Sequence, residues 1–383
     1  VNRDRPTEPL SDAGVEAVHN GAMTILEEIG VEFLNPEAVD ILRQAGCIVN
    51  GENIRFGRDF IMEMVAKAAG VSRATVSLVA RNSPLVSDAT RELITKTMKD
   101  MDYVADRAAA RLRSNSSGTV GLIVPNLINP FFIDFLAGAE RTMADEGRVI
   151  LLANSYDDME RQEDILQRFR EHSVDGIILC PAVGTPPELL SRIANWGIPV
   201  IQAMRAVSPT ESDYAGTDNA SGMLSAVRHL TSLGHQRIVF VSVSSRSSAR
   251  AERVGAFHQG LAEADGVEGT IIETEFSLDG AIEAGARIKD EAADATGIIC
   301  FNDIVAAGVM QGLRQSGAVP GETHAIIGFG DLPVARMAYP QLTTVATNPG
   351  NTGSSASTLL ARRLRKPDAP FERVLTVPSL VVR

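Results

Sequence analysis

Eight short runs of aliphatic and β-branched residues between positions 119 and 330 constrain this chain more than any other feature: TVGLIV, VILLA, DGIILC, IPVIQA, RIVFVS, TIIET, GIICF and HAIIGF. Each is too short and too uniformly apolar for a surface helix. The segments between them have the length and amphipathic spacing of crossover helices. Strand and helix alternating in this way predict parallel α/β sheet. The runs fall into two groups on either side of SPTESDYAGTDN, so two doubly wound lobes are expected, with a ligand cleft between them at the carboxyl ends of the strands. No GxGxxG, GxxxxGK[ST] or GxSxG string follows a run, which argues against phosphate-cradling loops and a nucleophile elbow.

At 383 residues the chain exceeds the roughly 250–300 residues at which single cores stop growing, so several domains are expected. Its net charge of −12 is uneven. Residues 1–61 hold 5 Lys and Arg against 11 Asp and Glu, and residues 62–118 hold 9 against 6, so a basic island of +3 follows a leader of −6. Charged residues break every apolar run short of the roughly 20 positions of a membrane span. VNRDRPTEPLSD lacks the apolar core of a signal peptide, so a soluble, cytoplasmic protein is expected. Cys47, Cys180 and Cys300 are odd in number, far apart and without metal-ligand spacing, which predicts buried, reduced thiols and no zinc site.

In the leader, Val15, Val18, Ala22, Ile25, Leu26 and Ile29 recur at helical spacing up to Gly30. Asn35-Pro36 is an N-cap followed by a first-turn proline, and Ala38, Ile41 and Leu42 form an apolar stripe ending at Gly46. Cys47–Val49 and Ile54–Phe56 flank Asn50-Gly51, a hairpin signal. A small α+β fragment results, with no cluster of catalytic groups, and His19 falls on the polar side of its helix.

In the basic island, Met62, Val65, Ala66 and Ala69 make the buried stripe of a short helix that Gly70 ends. Ser72 can cap a second helix with Val76 and Val79 inward beside Val71. Its outward face carries Arg73, Ala74, Thr75, Ser77 and Leu78. Ser87 caps a third helix, with Asp88 in its first turn and Leu93, Ile94, Met98 and Met101 closing the core. Two short helices about a glycine turn form a helix-turn-helix, whose second helix presents N-terminal side chains to major-groove base edges. An ordinary helical subdomain with a solvated basic face is the alternative.

The strings VAKAAGVSRATVS, LVSDATRELI and DYVADRAAARLRSNSSGTVGLIVPNLINPFF, followed by GTDNASGM, LGHQRIVFVS, ARAERVGAFHQGL, FNDIVAAGVM, GFGDLPVARMAYPQLTTV and SLVVR, closely resemble the lactose-repressor/galactose-repressor family of bacterial transcription regulators. The resemblance runs from residue 65 to residue 383. It implies an all-α helix-turn-helix headpiece (residues 62–105), a hinge helix and linker (106–118) and a two-lobed periplasmic-binding-protein-like effector and dimerisation domain (119–383). By that resemblance Ser72, Arg73, Ala74, Thr75 and Ser77 lie on the recognition helix, and Tyr103 closes the headpiece. Arg107 and Leu112 belong to the hinge helix, whose short Ala-rich sequence suits a helix that orders only when two copies pair on DNA. Leu112 matches a leucine wedged into a minor-groove base step; packing on its own lobe is the other reading. Arg73 offers a bidentate contact to guanine, whereas Leu78 stands where many members have Arg and offers only apolar contact, for instance to a thymine methyl. Lys67, Lys96, Lys99 and Arg113 suit phosphate positioning or solvent.

The same resemblance assigns Phe131 and Phe132 to an aromatic wall beside the effector, Arg253 to ligand oxygens and Asn302 to an amide at a strand's end, with Asp303 as a helix cap. Two departures stand out: Met204 and Gly330 replace aspartates common in the family. With Arg205 and Arg253 retained, an effector with fewer hydroxyls and an anionic or carbonyl group is expected, sugar-like or a small organic acid. A sugar held by Asp331 or Asp218 is the alternative.

Residues 10–62 resemble the N-terminal segment of the trimethylamine methyltransferase family, corrinoid-dependent (β/α)8-barrel enzymes, but the barrel is missing. The expected protein is therefore a fusion: a dimeric, ligand-responsive regulator, most simply a repressor, on a palindromic double-stranded operator, with no catalytic residues, cofactor or metal. The acidic leader opposes DNA binding at low salt. A fusion that retains only small-molecule binding is the alternative, followed by a methyltransferase-related enzyme and a periplasmic binder, the last opposed by the missing signal peptide.

Overall fold

The computed structural model of the chain describes residues 21–57, 60–80, 83, 85–101 and 116–383. Val15, Val18, His19, Tyr103, Arg107, Leu112 and Arg113 lie outside the described residues. Between Asn115 and Ser116 the chain divides into two compact units.

In the first unit a π-turn, Ile25–Ile29, ends at Gly30 (φ 85°) and leads into β1 (Val31–Glu32). Helix α1 (Pro36–Gln44) starts where expected: the Asn35 side chain accepts from the Glu37 backbone N–H at 2.9 Å. β2 (Ile48–Asn50) and β3 (Asn53–Arg55) complete an antiparallel sheet in the order β1-β3-β2. Asn50 pairs with Asn53, so the two turn residues are Gly51 (φ 64°) and Glu52 rather than Asn50-Gly51. The helical periodicity of the leader is a poor guide to its core. Val39 and Ile54 are buried, whereas Ile25, Ile29 and Ile41 stay exposed among the described residues, because so small a sheet covers one face of one helix.

The headpiece follows expectation more closely. Helices α2 (Phe60–Ala69), α3 (Arg73–Ala80) and α4 (Asp88–Asp100) enclose Val65, Ala66, Ala69, Val76, Val79, Val86 and Ile94, with Gly70 at φ 66° in the turn. Ser72 Oγ accepts from the Thr75 N–H at 3.2 Å, and Ser87 Oγ from that of Thr90 at 3.4 Å. Met98 packs on the core, but Leu93 and Met101 are exposed. Leu93 is one position off the row of Ile94 and Met98, and Met101 lies past the last helical residue. Phe33 lies tilted against Phe56 at 6.1 Å between centroids, and Phe56 meets Phe60 edge to face at 5.8 Å, which joins the small sheet to the start of α2.

The second unit has two lobes, and all eight expected strands are present. Lobe 1 is built on β4 (Thr119–Val124), α5 (Phe131–Asp145), β5 (Val149–Asn154), α6 (Met159–Glu171), β6 (Gly176–Leu179), α7 (Glu188–Asn195) and β7 (Val200–Ala203). The chain adds β8 (Asp213–Thr217) and crosses into lobe 2. There it forms α8 (Asn219–Ser232), β9 (Arg237–Val243), α9 (Ser248–Ala262), β10 (Glu268–Thr274), α10 (Leu278–Glu291), β11 (Gly297–Cys300), α11 (Asp303–Gln315), β12 (Ala325–Gly330), α12 (Pro333–Met337) and β13 (Thr343–Ala346). It returns for α13 (Pro349–Arg365) and β14 (Arg373–Thr376), then crosses a third time to β15 (Ser379–Val381). The sheets run β14-β8-β7-β6-β4-β5 and β10-β9-β11-β12-β13-β15, parallel throughout except at β15.

SPTESDYAGTDN is therefore no mere separator, since it contains β8. Sequence pattern hides this strand because its first residue, Asp213, is a fully buried carboxylate. Its charge is met by Arg363 Nε at 2.8 Å and Arg362 at 3.3 Å, both from α13, and it accepts the Glu372 N–H at 2.8 Å.

Asp175 fixes the point where the chain enters lobe 1. It accepts from the Ser116 hydroxyl at 2.7 Å and from the Ser117 and Gly118 N–H groups, and it pairs with Arg148. Burial works against its charge, but the Ser116 and Ser117 hydrogen bonds and the Arg148 guanidinium outweigh that and hold its pKa below the ordinary range. A depressed carboxyl contributes stability above its unfolded pKa of about 3.9, lost as pH falls through the folded value. Asp175→Asn is expected to cost about 1–3 kcal/mol at neutral pH. In urea melts across pH, that difference from the parent should close below about pH 4.

Candidate effector cleft and DNA-reading helix

Between the lobes lies a cavity of about 340 Å³, floored by residues that follow the carboxyl ends of strands. Phe131, Phe132, Arg205, Arg253 and Asn302, all expected at the effector, line it. Asn126, Asn129, Tyr156, Asp157, Asn219, Phe276, Phe301 and Phe329 line it too and were not singled out from sequence. Their shared position just beyond or at strand ends was the available signal. Asp218 and Asp331, the alternative sugar ligands, are not among the lining residues. Asp218 caps α8 through the Ser221 N–H at 3.0 Å, and Asp331 pairs with Arg383 and Arg336.

Arg253 is only 8% exposed. Its Nε donates to Asn219 Oδ1 at 2.9 Å and its Nη1 to the Phe301 carbonyl, while the guanidinium sits 3.8 Å from the Phe329 ring centroid and 4.6 Å from that of Phe301. Burial pushes its pKa down to about 9 against the pull of Glu252 and Asp303, so it keeps its charge at neutral pH. Asn219 Nδ2 in turn donates to Glu252 at 2.8 Å, and Glu252 lies 3.5 Å from Arg373 of β14, which stacks over Tyr214 of β8. A chain of side chains thus runs from the cavity to the opposite lobe.

On the lobe 1 side, Arg205 pairs with Asp157 at 2.5 Å. Tyr156 and Asp157 (φ 54° and 60°) and Met204 (φ 61°) all hold left-handed backbone, a conformation that costs energy for residues other than glycine and clusters at ligand sites. Burial pushes the nearby Cys180 thiol up to about 12, so it stays protonated. Cys300 is buried as well, whereas Cys47 is only half-buried. One expectation fails. Asn302 itself caps α11, accepting the Val305 N–H at 2.9 Å, while Asp303 reaches away to the Thr344 hydroxyl and the Leu332 N–H.

On the headpiece, Ser72, Arg73 and Ala74 are exposed at the start of α3, and Thr75, Ser77 and Leu78 are half-buried. Leu78 packs partly on the headpiece core, which leaves less of it outward than expected. Arg73 lies 3.8 Å from Glu63 of α2. Lys67, Lys96 and Lys99 are exposed.

Comparison with known proteins decides the family. The transcriptional regulator DegA of Bacillus subtilis (strain 168), of the helix-turn-helix type, is 31% identical over 83% of this chain and 96% of its own length. The chain belongs to the LacI family of transcription regulators. The helix-turn-helix-type transcriptional repressor PurR of Vibrio atlanticus (strain LGP32) is 30% identical over the same 83%, covering 96% of that protein. The solved complex of the regulator CelR with cellobiose matches at a TM-score of 0.65 and 26% identity, over 84% of this chain and 98% of CelR. A model of the periplasmic binding protein-like domain matches residues 227–383 of this LacI-family chain. The trimethylamine methyltransferase (MTTB) model matches residues 1–103, which extends past residue 62 and across the headpiece helices. This LacI-family protein is a ligand-responsive, DNA-binding transcription regulator. Among the described residues no helix is long and apolar enough to cross a membrane, and no group of three or more His, Cys, Asp or Glu side chains is placed to hold a metal.

Proposed function

We propose that the chain is a cytoplasmic, nucleoid-associated repressor whose α3 reads a palindromic operator as a homodimer, and that it binds rather than catalyses. Ser72, Arg73, Ala74, Thr75, Ser77 and Leu78 meet the major groove, with Arg107 and Leu112 at the minor groove. The cleft around Arg253 holds the effector, and its occupancy sets the angle between the lobes. The observation that carries the reading is Arg73, exposed at the first position of a Ser72-capped helix on a three-helix core. A recognition helix contacts bases through its N-terminal residues.

Two features weaken DNA binding. The −6 leader repels phosphate, and Glu63 at 3.8 Å competes for the reader Arg73. After operator selection in vitro, gel shifts should show tighter binding when residues 1–61 are replaced by a short Met-Thr start, with the gain largest at low salt. Arg73→Ala should cost about 1–3 kcal/mol and relax preference at one base pair. Equal affinity for every oligonucleotide, trimmed or not, would favour the second reading, a fusion that keeps only ligand binding.

A further inference from the structure

We infer that the cleft takes a flat, apolar carboxylate carrying at most one hydroxyl, with the anionic group seated on Arg253. This rests on the reading of the cleft as the effector site. The argument is an inventory of which polar atoms are already used. Backbone N–H groups, which only donate, take the amide oxygens of Asn126 (from Ile128, 2.8 Å), Asn129 (from Phe131, 3.1 Å) and Asn302 (from Val305, 2.9 Å). Arg253 Nε takes that of Asn219. Each side-chain orientation is thereby fixed and one lone pair of each oxygen is used, while the NH2 groups of Asn126, Asn129 and Asn302 have no protein acceptor among the described residues and are left as donors for a ligand. Arg253 adds another donor in Nη2, which has no hydrogen bond to the protein among the described residues, on a guanidinium more than nine-tenths buried.

Carboxylate acceptors are scarce by comparison. Among the described residues Asp157 is the sole carboxylate on the lining, and Arg205 and the Val183 N–H both occupy its Oδ1. A polyol brings a donor with every oxygen, and a buried hydroxyl proton without an acceptor is costly. A carboxylate brings only acceptors and answers Arg253, the lining cation that has no ion pair with a lining carboxylate among the described residues. The hydroxyls of Ser245, Ser247 and Thr347 on the lining are each already engaged with backbone, by the Ser247 N–H, the Arg250 N–H and the Gly330 carbonyl, and most of the rest of the wall is apolar: Phe131 and Phe132 meet edge to face at 5.3 Å on lobe 1, and Tyr156 and Phe276 present exposed rings from opposite lobes. Such walls suit a flat body. The remaining oxygen of Asp157 can take a single hydroxyl.

Calorimetry on the full chain tests this with 4-hydroxybenzoate, 4-hydroxybenzamide and glucose as probes. The acid should bind, the amide about 10- to 100-fold more weakly, and glucose not at millimolar concentration. Arg253→Met should abolish acid binding. Because Arg253 also ties Asn219 to Phe301, Met204→Asp is the second variant: it leaves Arg253 in place, suits the left-handed backbone and adds the missing acceptor, so the acid should weaken by about tenfold or more while glucose gains. Equal affinities for acid and amide, or an acid indifferent to both substitutions, would overturn the inference. Glucose binding in place of the acid and altering operator retention would overturn it while leaving the cleft as effector site. Binding of the acid that survives blockage of the cleft by Ala249→Trp would overturn both.

Discussion

Asp213→Ala should lower the stability of lobe 1 by about 3–5 kcal/mol, the loss expected when one member of a buried ion cluster is removed. Asp213 is fully buried, and Arg363, itself almost fully buried, is left with carbonyl partners at Pro367, Ala369 and Pro370 but no counter-charge. Arg362 retains Glu372 at 2.9 Å, so most of the cost falls on Arg363. The lone tryptophan, Trp196, follows α7 in lobe 1 and reports this unfolding by fluorescence. Replacing the pair together, Asp213→Leu with Arg363→Met, should cost less than the single change, because no charge is then stranded. If the double variant is the less stable of the two, the cluster is not what holds β8 and α13 together.

Gly353→Ala should cost about 3 kcal/mol, at the upper end for overpacking, although alanine is the better helix former. Helices α5 and α13 meet backbone to backbone. A Cβ on Gly353 would stand 2.0 Å from the Phe135 carbonyl oxygen, and one on Gly138 would stand 1.9 Å from that of Gly350. Neither obstacle is a side chain that can swing aside, so the helices must part along their length. Gly255 supplies the opposite sign. It lies exposed in α9 with nothing within 4 Å of a built Cβ, and Gly255→Ala should stabilise by roughly 0.5–1 kcal/mol. Parallel urea melts of the two variants distinguish close helix contact from a general intolerance of alanine.

These helix contacts mark where sequence reasoning stops. The eight apolar strands were legible because parallel strands covered on both faces carry their burial in their own composition. The headpiece was legible because i, i+3, i+4 spacing and serine caps are local signals. β8 was hidden, since Asp213 makes sense only beside arginines some 150 positions later. In the cleft, Arg253, Phe131 and Asn302 were reached through family resemblance. Asp157 and the donor amides of Asn126 and Asn129 required the fold, because each is defined by what its neighbours leave unused. The leader misled for a different reason: helical periodicity names a face, not its cover.

The three crossovers between the lobes lie close together in space. The Asp218 N–H donates to the Thr376 carbonyl at 3.0 Å, and the Thr376 hydroxyl meets that of Thr352 at 2.9 Å, so all three connections share one knot. Two bodies joined at a single clustered pivot cannot slide past one another, so what is left between them is rotation about that point. Anything that props the cleft can act only by turning one lobe on the other about this point, and the Ser116–Gly118 segment that Asp175 clamps has to turn as part of lobe 1.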